Sequence, residues 1–195
     1  MKIEIVRGTT YKDVLRWASP ECVFKPITDI TNSAPAEVTC PDHGLVNGWT
    51  VTFESVQGMR DINDQRHQVE VIDAVTFRIP CLNTLGYKAY TSGGVIRYLA
   101  PVDLTEFTAR MRIRPNGSDD PQDWIELYSN QDGPETAFPL ITLDPAEATI
   151  TRLIPIALSD EFDFTNATYT LKLFRDVGDP TEEAIKVDSG TITVR

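Results

Sequence analysis

The chain has little histidine, little cysteine and no long apolar run. Two histidines and three cysteines occur among its 195 residues, which leaves few ligands for zinc and few bases to activate a nucleophile. No segment approaches the roughly 18 consecutive apolar residues that a membrane-spanning helix needs. Residues 1–7 form a charged strand pattern and lack the apolar stretch of a secretory signal. We therefore expect synthesis in the cytoplasm and no membrane insertion.

Basic residues are also in deficit. Lys and Arg number 18 against 29 Asp and Glu, which gives a net charge of −11. Nucleic-acid affinity comes largely from clustered cations that displace counterions from phosphates, so we expect neither DNA nor RNA as a partner. The deficit is uneven, because residues 98–195 carry 18 acidic and 8 basic side chains, whereas residues 1–97 carry 11 and 10. The two stretches are expected to face different surroundings.

The cysteines Cys22, Cys40 and Cys81 are odd in number and have no repeated spacing, which argues against a disulfide framework. We predict reduced thiols in the core. The run 40–43 (CPDH) also brings a thiol, a carboxylate and an imidazole together. A zinc site needs about four ligands, and no second cluster is present, so we predict no metal site. A cysteine nucleophile would need an oxyanion donor that the sequence does not offer.

The two histidines have simple structural interpretations. His43 precedes the turn glycine Gly44, and we predict that its imidazole bonds to the backbone and holds that turn. His67 opens a strand pattern and has no evident partner. With so few candidate bases, we predict no catalytic residue, no cofactor-binding residue and no cofactor, and we expect that the chain is not an enzyme.

Two short segments, residues 61–64 and 119–123, are rich in acidic side chains. Residues 61–64 begin like a calcium loop, but the sixth position is Arg66 instead of glycine and the twelfth is Ile72, so we predict an Asx-rich turn. Residues 119–123 crowd carboxylates at a predicted hairpin tip, beside Trp124, which we predict to lie in the core. A carboxylate pair for glycoside hydrolysis stays open, because that chemistry depends on a spatial separation.

Strand patterns dominate the chain and predict an all-β fold. Short runs rich in β-branched and aromatic residues alternate with turns rich in Pro, Gly, Asn and Asp. A helical turn is predicted only at 159–162, with Ser159 as its N-cap. The predicted strands are 2–6, 11–17, 49–55, 67–72, 75–79, 107–114, 148–156, 168–174 and 190–194.

The order of these patterns predicts a discontinuous domain. The opening strands find their next matching pattern at 102–114, with a compact module between them. A long insertion costs little closure entropy when its ends lie close together. We therefore predict an Ig-like β-sandwich from residues 1–25 and 98–195, which carries an inserted small SH3-like β-barrel at residues 26–97.

The inserted module resembles the small barrel known as the FCCH domain of ubiquitin-activating enzymes, which also recurs in bacteriophage tail proteins. The resemblance implies shape and no ubiquitin chemistry. Two turns depart from the usual pattern, since Trp49 replaces a common acidic residue and Asp64 a common glycine. The resemblance is carried by residues 43–45 (HGL), 47–53 (NGWTVTF), 58–63 (GMRDIN) and 90–94 (YTSGG).

The flanking sandwich resembles the N-terminal domain of siphophage baseplate upper proteins. The matching pieces are residues 7–11 (RGTTY), 102–114 (VDLTEFTARMRIR), 169–173 (YTLKL) and 190–194 (GTITV). The resemblance implies a structural protein of a phage tail or baseplate, located in the virion. It would act as an adaptor or attachment protein that binds other tail, baseplate or fibre subunits. A homo-oligomer, a trimer or hexamer around the tail axis, is expected.

The expected contact regions are loops 57–66, 83–94 and 116–124. An alternative function is a receptor-recognition module that binds host-surface carbohydrate through exposed aromatic residues. The aromatic candidates for that role are Trp49, Tyr87, Tyr90 and Trp124. A polysaccharide-degrading enzyme is a third and weaker alternative.

Overall fold

The computed structural model describes residues 1–129, 139–177 and 182–195. Strands make up nearly all of its regular structure, so the all-β prediction is confirmed. No helix in these ranges is long and apolar enough to span a membrane. The strands are β1 Lys2–Ile5, β2 Tyr11–Arg16, β3 Ala18–Pro26, β4 Asp29–Ile30, β5 Ala36–Thr39, β6 Thr50–Glu54, β7 Arg66–Gln68, β8 Glu70–Val71, β9 Thr76–Ile79, β10 Val95–Pro101, β11 Thr108–Pro115, β12 Ile125–Ser129, β13 Pro139–Asp144, β14 Thr149–Ile154, β15 Asn166–Arg175 and β16 Glu183–Val194.

The chain divides into two compact units. The first contains Met1–Trp17 and Asp103–Arg195, and the second contains Ala18–Val102. We predicted that the inserted unit spans residues 26–97, whereas in the structure it begins at Ala18 and ends at Val102. The unit is longer because β3 and β10 pair with each other in antiparallel fashion, from Val95 opposite Pro26 to Pro101 opposite Ala18. Both strands therefore belong to the inserted unit.

The first unit is built on one sheet of eight strands, in the order β1-β16-β15-β11-β12-β13-β14-β2. The sheet curls back on itself, because Arg152 on β14 reaches Asp188 on β16 and lies 5.4 Å from the ring centre of Tyr169 on β15. Alternate residues of each strand fill the interior, as the two-residue period of a strand requires. Among them are Ile3, Ile5, Met111, Ile113, Ile150, Leu171 and Ile192.

The inserted unit contains two sheets of four strands, in the orders β3-β10-β6-β7 and β4-β5-β9-β8. Its core includes Val38, Trp49, Phe53 and Phe77. The turn at Asp64, where glycine is common in the resembling module, has a φ of 61°. An Asx residue tolerates this left-handed conformation better than most side chains do.

The predicted helical turn at 159–162 begins three residues earlier in the structure and ends two residues earlier. Helix α1 spans Ile156–Asp160, follows Pro155 and takes over the end of the strand predicted at 148–156. Ser159 is buried inside the helix and is not its N-cap. Its hydroxyl donates to the carbonyl oxygens of Thr9 and Ile156, at 2.8 and 3.1 Å. The residue therefore links the helix to the turn that precedes β2.

Candidate functional site

A basic face lies on the outer side of the eight-stranded sheet. Five cationic side chains form it: Arg110, Arg112 and Arg114 on β11, Lys172 on β15 and Lys186 on β16. We call this set the basic face. Its strands bury their other side, where Ala109, Met111 and Ile113 alternate with the arginines of β11.

Strand register aligns these cations in rows across the sheet. Arg110 lies opposite Lys172, and Lys172 lies opposite Lys186. Along β11, same-face neighbours are two residues apart, which is about 7 Å in an extended strand, and adjacent strands are about 4.8 Å apart. Arg114, Lys172 and Lys186 are exposed, and Arg110 and Arg112 are half-buried. The result is a grid of positive charge on a protein whose net charge is −11.

Aromatic rings hold the three guanidinium groups in place. The guanidinium carbons of Arg112 and Arg114 lie 4.9 and 4.2 Å from the ring centre of Trp124. That of Arg110 lies 4.7 Å from the ring centre of Phe174. Such cation–π contacts contribute about 0.5–1 kcal/mol each at exposed sites. Trp124 is therefore a half-buried platform under two cations and not the core residue that we predicted.

One carboxylate lies within the face. Glu126 on β12 accepts hydrogen bonds from Arg112, at 2.6 Å, and from the hydroxyl of Tyr128. Burial acts to raise the pKa of Glu126, but these two hydrogen bonds, together with the positive charges of Arg112 and Arg110, hold that pKa below its usual value. Glu126 therefore stays ionised and fixes Arg112, while the other four cations are left in excess.

The basic face is shallow. A groove of about 240 Å³ runs along it, lined by the three arginines, Thr170, Lys172 and Phe174. A second groove begins at Arg110 and Tyr128 and is bordered by Glu182, so positive charge diminishes at that end. Guanidinium groups fixed on aromatic rings offer N–H pairs that carboxylates or phosphates accept in bidentate fashion. The arrangement is suited to binding an anionic surface.

We did not predict the basic face, although one strand pattern contains a signal for it. The segment 107–114 (FTARMRIR) was predicted as a strand, and its arginines recur at every second residue. A period of two places all three on one side of a strand. The acidic balance of residues 98–195 concealed this local concentration, because net charge averages over surfaces that the fold separates.

The prediction for His43 is confirmed. The ring is buried, its Nδ1 accepts from the backbone N–H of Leu45 at 3.0 Å, and its Nε2 lies 2.9 Å from the carbonyl oxygen of Asp73. His67 packs edge-on against Phe53, and its Nε2 is buried without a hydrogen bond in the described part of the chain. Burial lowers the pKa of His67, which favours the neutral ring.

The cysteines follow the prediction only in part. All three are free thiols, as expected, and Cys40 is buried, but Cys22 and Cys81 are exposed. Cys22 lies on β3, which is an edge strand, and Cys81 follows the end of β9, so neither position points into a core. Burial raises the pKa of the Cys40 thiol to about 11. That thiol is a protonated core group at neutral pH.

The acidic segments form turns. Residues Arg60–Ile62 make a single 3-10 turn, and the Asn63 amide bonds to both backbone groups of Val56, at 2.8 and 3.1 Å. The segment 61–64 is therefore part of a turn, as predicted, and the Asn63 side chain links this turn to Val56. In the acidic loop, Asp120 caps a 3-10 turn at Pro121–Asp123. The described residues contain no group of three or more His, Cys, Asp or Glu side chains arranged for a metal ion.

The four aromatic residues considered for carbohydrate binding belong to two different units and differ in exposure. Trp49 is only 4% exposed, and its indole N–H donates to the carbonyl oxygen of Leu99 at 2.7 Å. The Tyr90 hydroxyl donates to the carbonyl oxygen of Gly93 at 3.0 Å. Tyr87 belongs to the same unit, whereas Trp124 belongs to the first unit and lies beneath two arginines.

Comparisons with known proteins include a family match within the inserted unit. Residues 33–99 match the model of the ubiquitin-activating enzyme E1 FCCH domain. Two proteins named ubiquitin-like modifier-activating enzyme 1, from Oryctolagus cuniculus and Homo sapiens, are each 34% identical over 74 residues. That alignment covers 36% of this chain and 7% of either relative.

A solved structure named marsupial T cell receptor is similar over 89% of this chain and 72% of its own, with 9% identity and a TM-score of 0.33. The family match, at residues 33–99, lies within the inserted unit, which contains Ala18–Val102. The inserted unit is thus similar to an FCCH domain.

Proposed function

We propose that this chain is a non-enzymatic structural protein of a bacteriophage tail or baseplate, which binds neighbouring subunits or a fibre. The basic face is the observation that carries the proposal. It is a flat array of fixed cations without an enclosed pocket, which favours docking of a surface over turnover of a small substrate. Arginine and aromatic residues are also the types enriched in protein interfaces.

The sheet arrangement supports the same proposal. Three of the four segments that resemble siphophage baseplate upper proteins overlap β11, β15 and β16, which are neighbours in the sheet order β16-β15-β11. The fourth, residues 7–11, is the turn that joins β1 to β2. Most of the resemblance therefore follows adjacent strands of the sheet that carries the basic face. The FCCH-like unit is carried within this chain as an insertion between β2 and β11.

The test is quantitative peptide mass spectrometry on gradient-purified particles of the phage that encodes the chain. The amount of this chain is referenced to the tail-tube and capsid proteins of the same particles. We expect a fixed small copy number, a multiple of three or six, as the tail axis requires. Absence from particles that contain tail-tube protein would refute the structural role.

A further inference from the structure

We infer that the basic face binds the acidic loop of a second copy of this chain, in a two-fold symmetric dimer. This inference deepens the proposed function, since it names the partner of the surface on which that function rests. The acidic loop is residues 116–124, with exposed Asp119 and Asp120 at its tip. It connects β11 to β12 directly beyond Arg114.

Opposite charges therefore lie on one hairpin. Arg112 and Arg114 occupy the strand that enters the loop, and Asp119 and Asp120 occupy the loop itself. A two-fold axis that passes between these groups places the acidic tip of each copy over the basic face of the other. Such an interface is self-complementary, because the same pair of patches is used twice.

Charge alone would also admit a nucleic acid, but the aromatic rings argue against it. Single-stranded nucleic acids gain about 1–3 kcal/mol for each base that stacks on a free aromatic ring. On this face the guanidinium groups of Arg112 and Arg114 lie over Trp124, and that of Arg110 lies over Phe174. The net charge of −11 would also repel a polyanion. Carboxylates of a folded loop fit these constraints better.

Two copies of an acidic protein repel each other at long range, yet this repulsion does not forbid the contact. At physiological ionic strength charges are screened beyond about 8 Å, whereas contacts at the interface are closer than that. Glu126 pairs with Arg112, and within the described residues no salt bridge joins the other four cations of the face to a carboxylate. The loop carboxylates of a second copy can pair with them.

The experiment is sedimentation velocity on the full chain at 0.15 M ionic strength, with a reciprocal pair of charge reversals. Arg114→Glu makes the basic face repel the loop, and Asp119→Lys makes the loop repel the basic face. Each substitution acts at both contacts of a two-fold dimer, so we expect each variant to weaken dimerisation by at least about tenfold. An equimolar mixture of the two variants restores both contacts and should sediment as a dimer.

A matched control is Lys12→Glu, which changes the net charge as Arg114→Glu does. Lys12 is exposed on β2, which pairs with β14 and with none of the strands that carry the basic face. This variant should dimerise like the unmodified chain. Circular dichroism and melting temperatures of all variants must match the unmodified chain, so that loss of the dimer is not loss of the fold.

Several results would overturn the inference. A wild-type chain that stays monomeric at every concentration, or a dimer that both reversals leave intact, would place the partner elsewhere. Assembly of the mixture beyond a dimer would overturn the two-fold geometry. If the monomer binds a single-stranded oligonucleotide and the Arg114→Glu variant does not, the face is a nucleic-acid-binding surface instead. None of these results bears on whether the chain is present in phage particles, so the two proposals fail independently.

Discussion

Arg152 is the largest fully buried side chain among the described residues and the centre of an ionic network inside the first unit. Its guanidinium group donates to both carboxylate oxygens of Asp13, at 3.0 and 2.6 Å, and to Asp188 at 3.1 Å. Asp188 also accepts from the hydroxyl of Tyr169 at 2.7 Å. The three charged residues come from β2, β14 and β16, so the network joins both ends of the curled sheet.

Arg152→Met should therefore be severely destabilising. The Arg152 side chain is 1% exposed, and those of Asp13 and Asp188 are 18% and 17% exposed. Methionine fills much of the volume but leaves two poorly solvated carboxylates without their cation. Removing one partner of a buried ionic pair costs about 3–5 kcal/mol, most of it from the uncompensated charge that is left behind.

The assay is urea denaturation, with hydrogen exchange to assign the loss to strands of the first unit. Arg175→Met is the matched control, because Arg175 bonds Glu183 at 2.6 Å but is 41% exposed. An exposed pair of this kind contributes about 0–1 kcal/mol. The triple variant Asp13→Asn, Arg152→Met and Asp188→Asn removes all three charges and should recover part of the loss. If Arg152→Met lowers the free energy of unfolding no more than Arg175→Met does, the buried network does not have the predicted role.

Two further predictions concern a glycine and a tyrosine. Gly58 has a φ of 81°, and a Cβ there would lie 2.1 Å from the carbonyl oxygen of Ala89. Gly58→Ala should therefore lower the free energy of unfolding by at least about 2 kcal/mol. The control Gly86→Ala, at a position with open space around it, should change the melting temperature little. Burial, with the hydrogen bond to Asp188, raises the pKa of Tyr169 to about 12, so folding favours the protonated phenol. The stability that the protonated Tyr169 provides is complete below about pH 10, the pKa of an unfolded tyrosine, and is lost as the pH rises towards 12. Tyr169→Phe should therefore make the alkaline loss of stability shallower. An unchanged slope of stability against pH would contradict the assignment.

Local patterns predicted much of the fold. The alternation in 107–114 and 168–174 marked β11 and β15 within a residue or two, because a strand with one buried face repeats every second residue. The backbone role of His43 also followed from its place before a turn glycine. Strand β3 was missed, since Ala18–Pro26 is an edge strand with Pro20 inside it and most of its residues are partly or fully exposed.

The all-β character, the discontinuous plan and the overall acidity depend on residue period, turn residues and composition, so they could be predicted from the chain. The places where charged side chains meet depend on strand pairing and could not. Lys172 and Lys186 are far in sequence from Arg110, and strand pairing alone places the three in one row. The same holds for Arg152, whose partners Asp13 and Asp188 are 139 and 36 residues away. Periodicity is local and can be read along the chain, whereas electrostatic contact depends on distances that exist only after the sheet has closed.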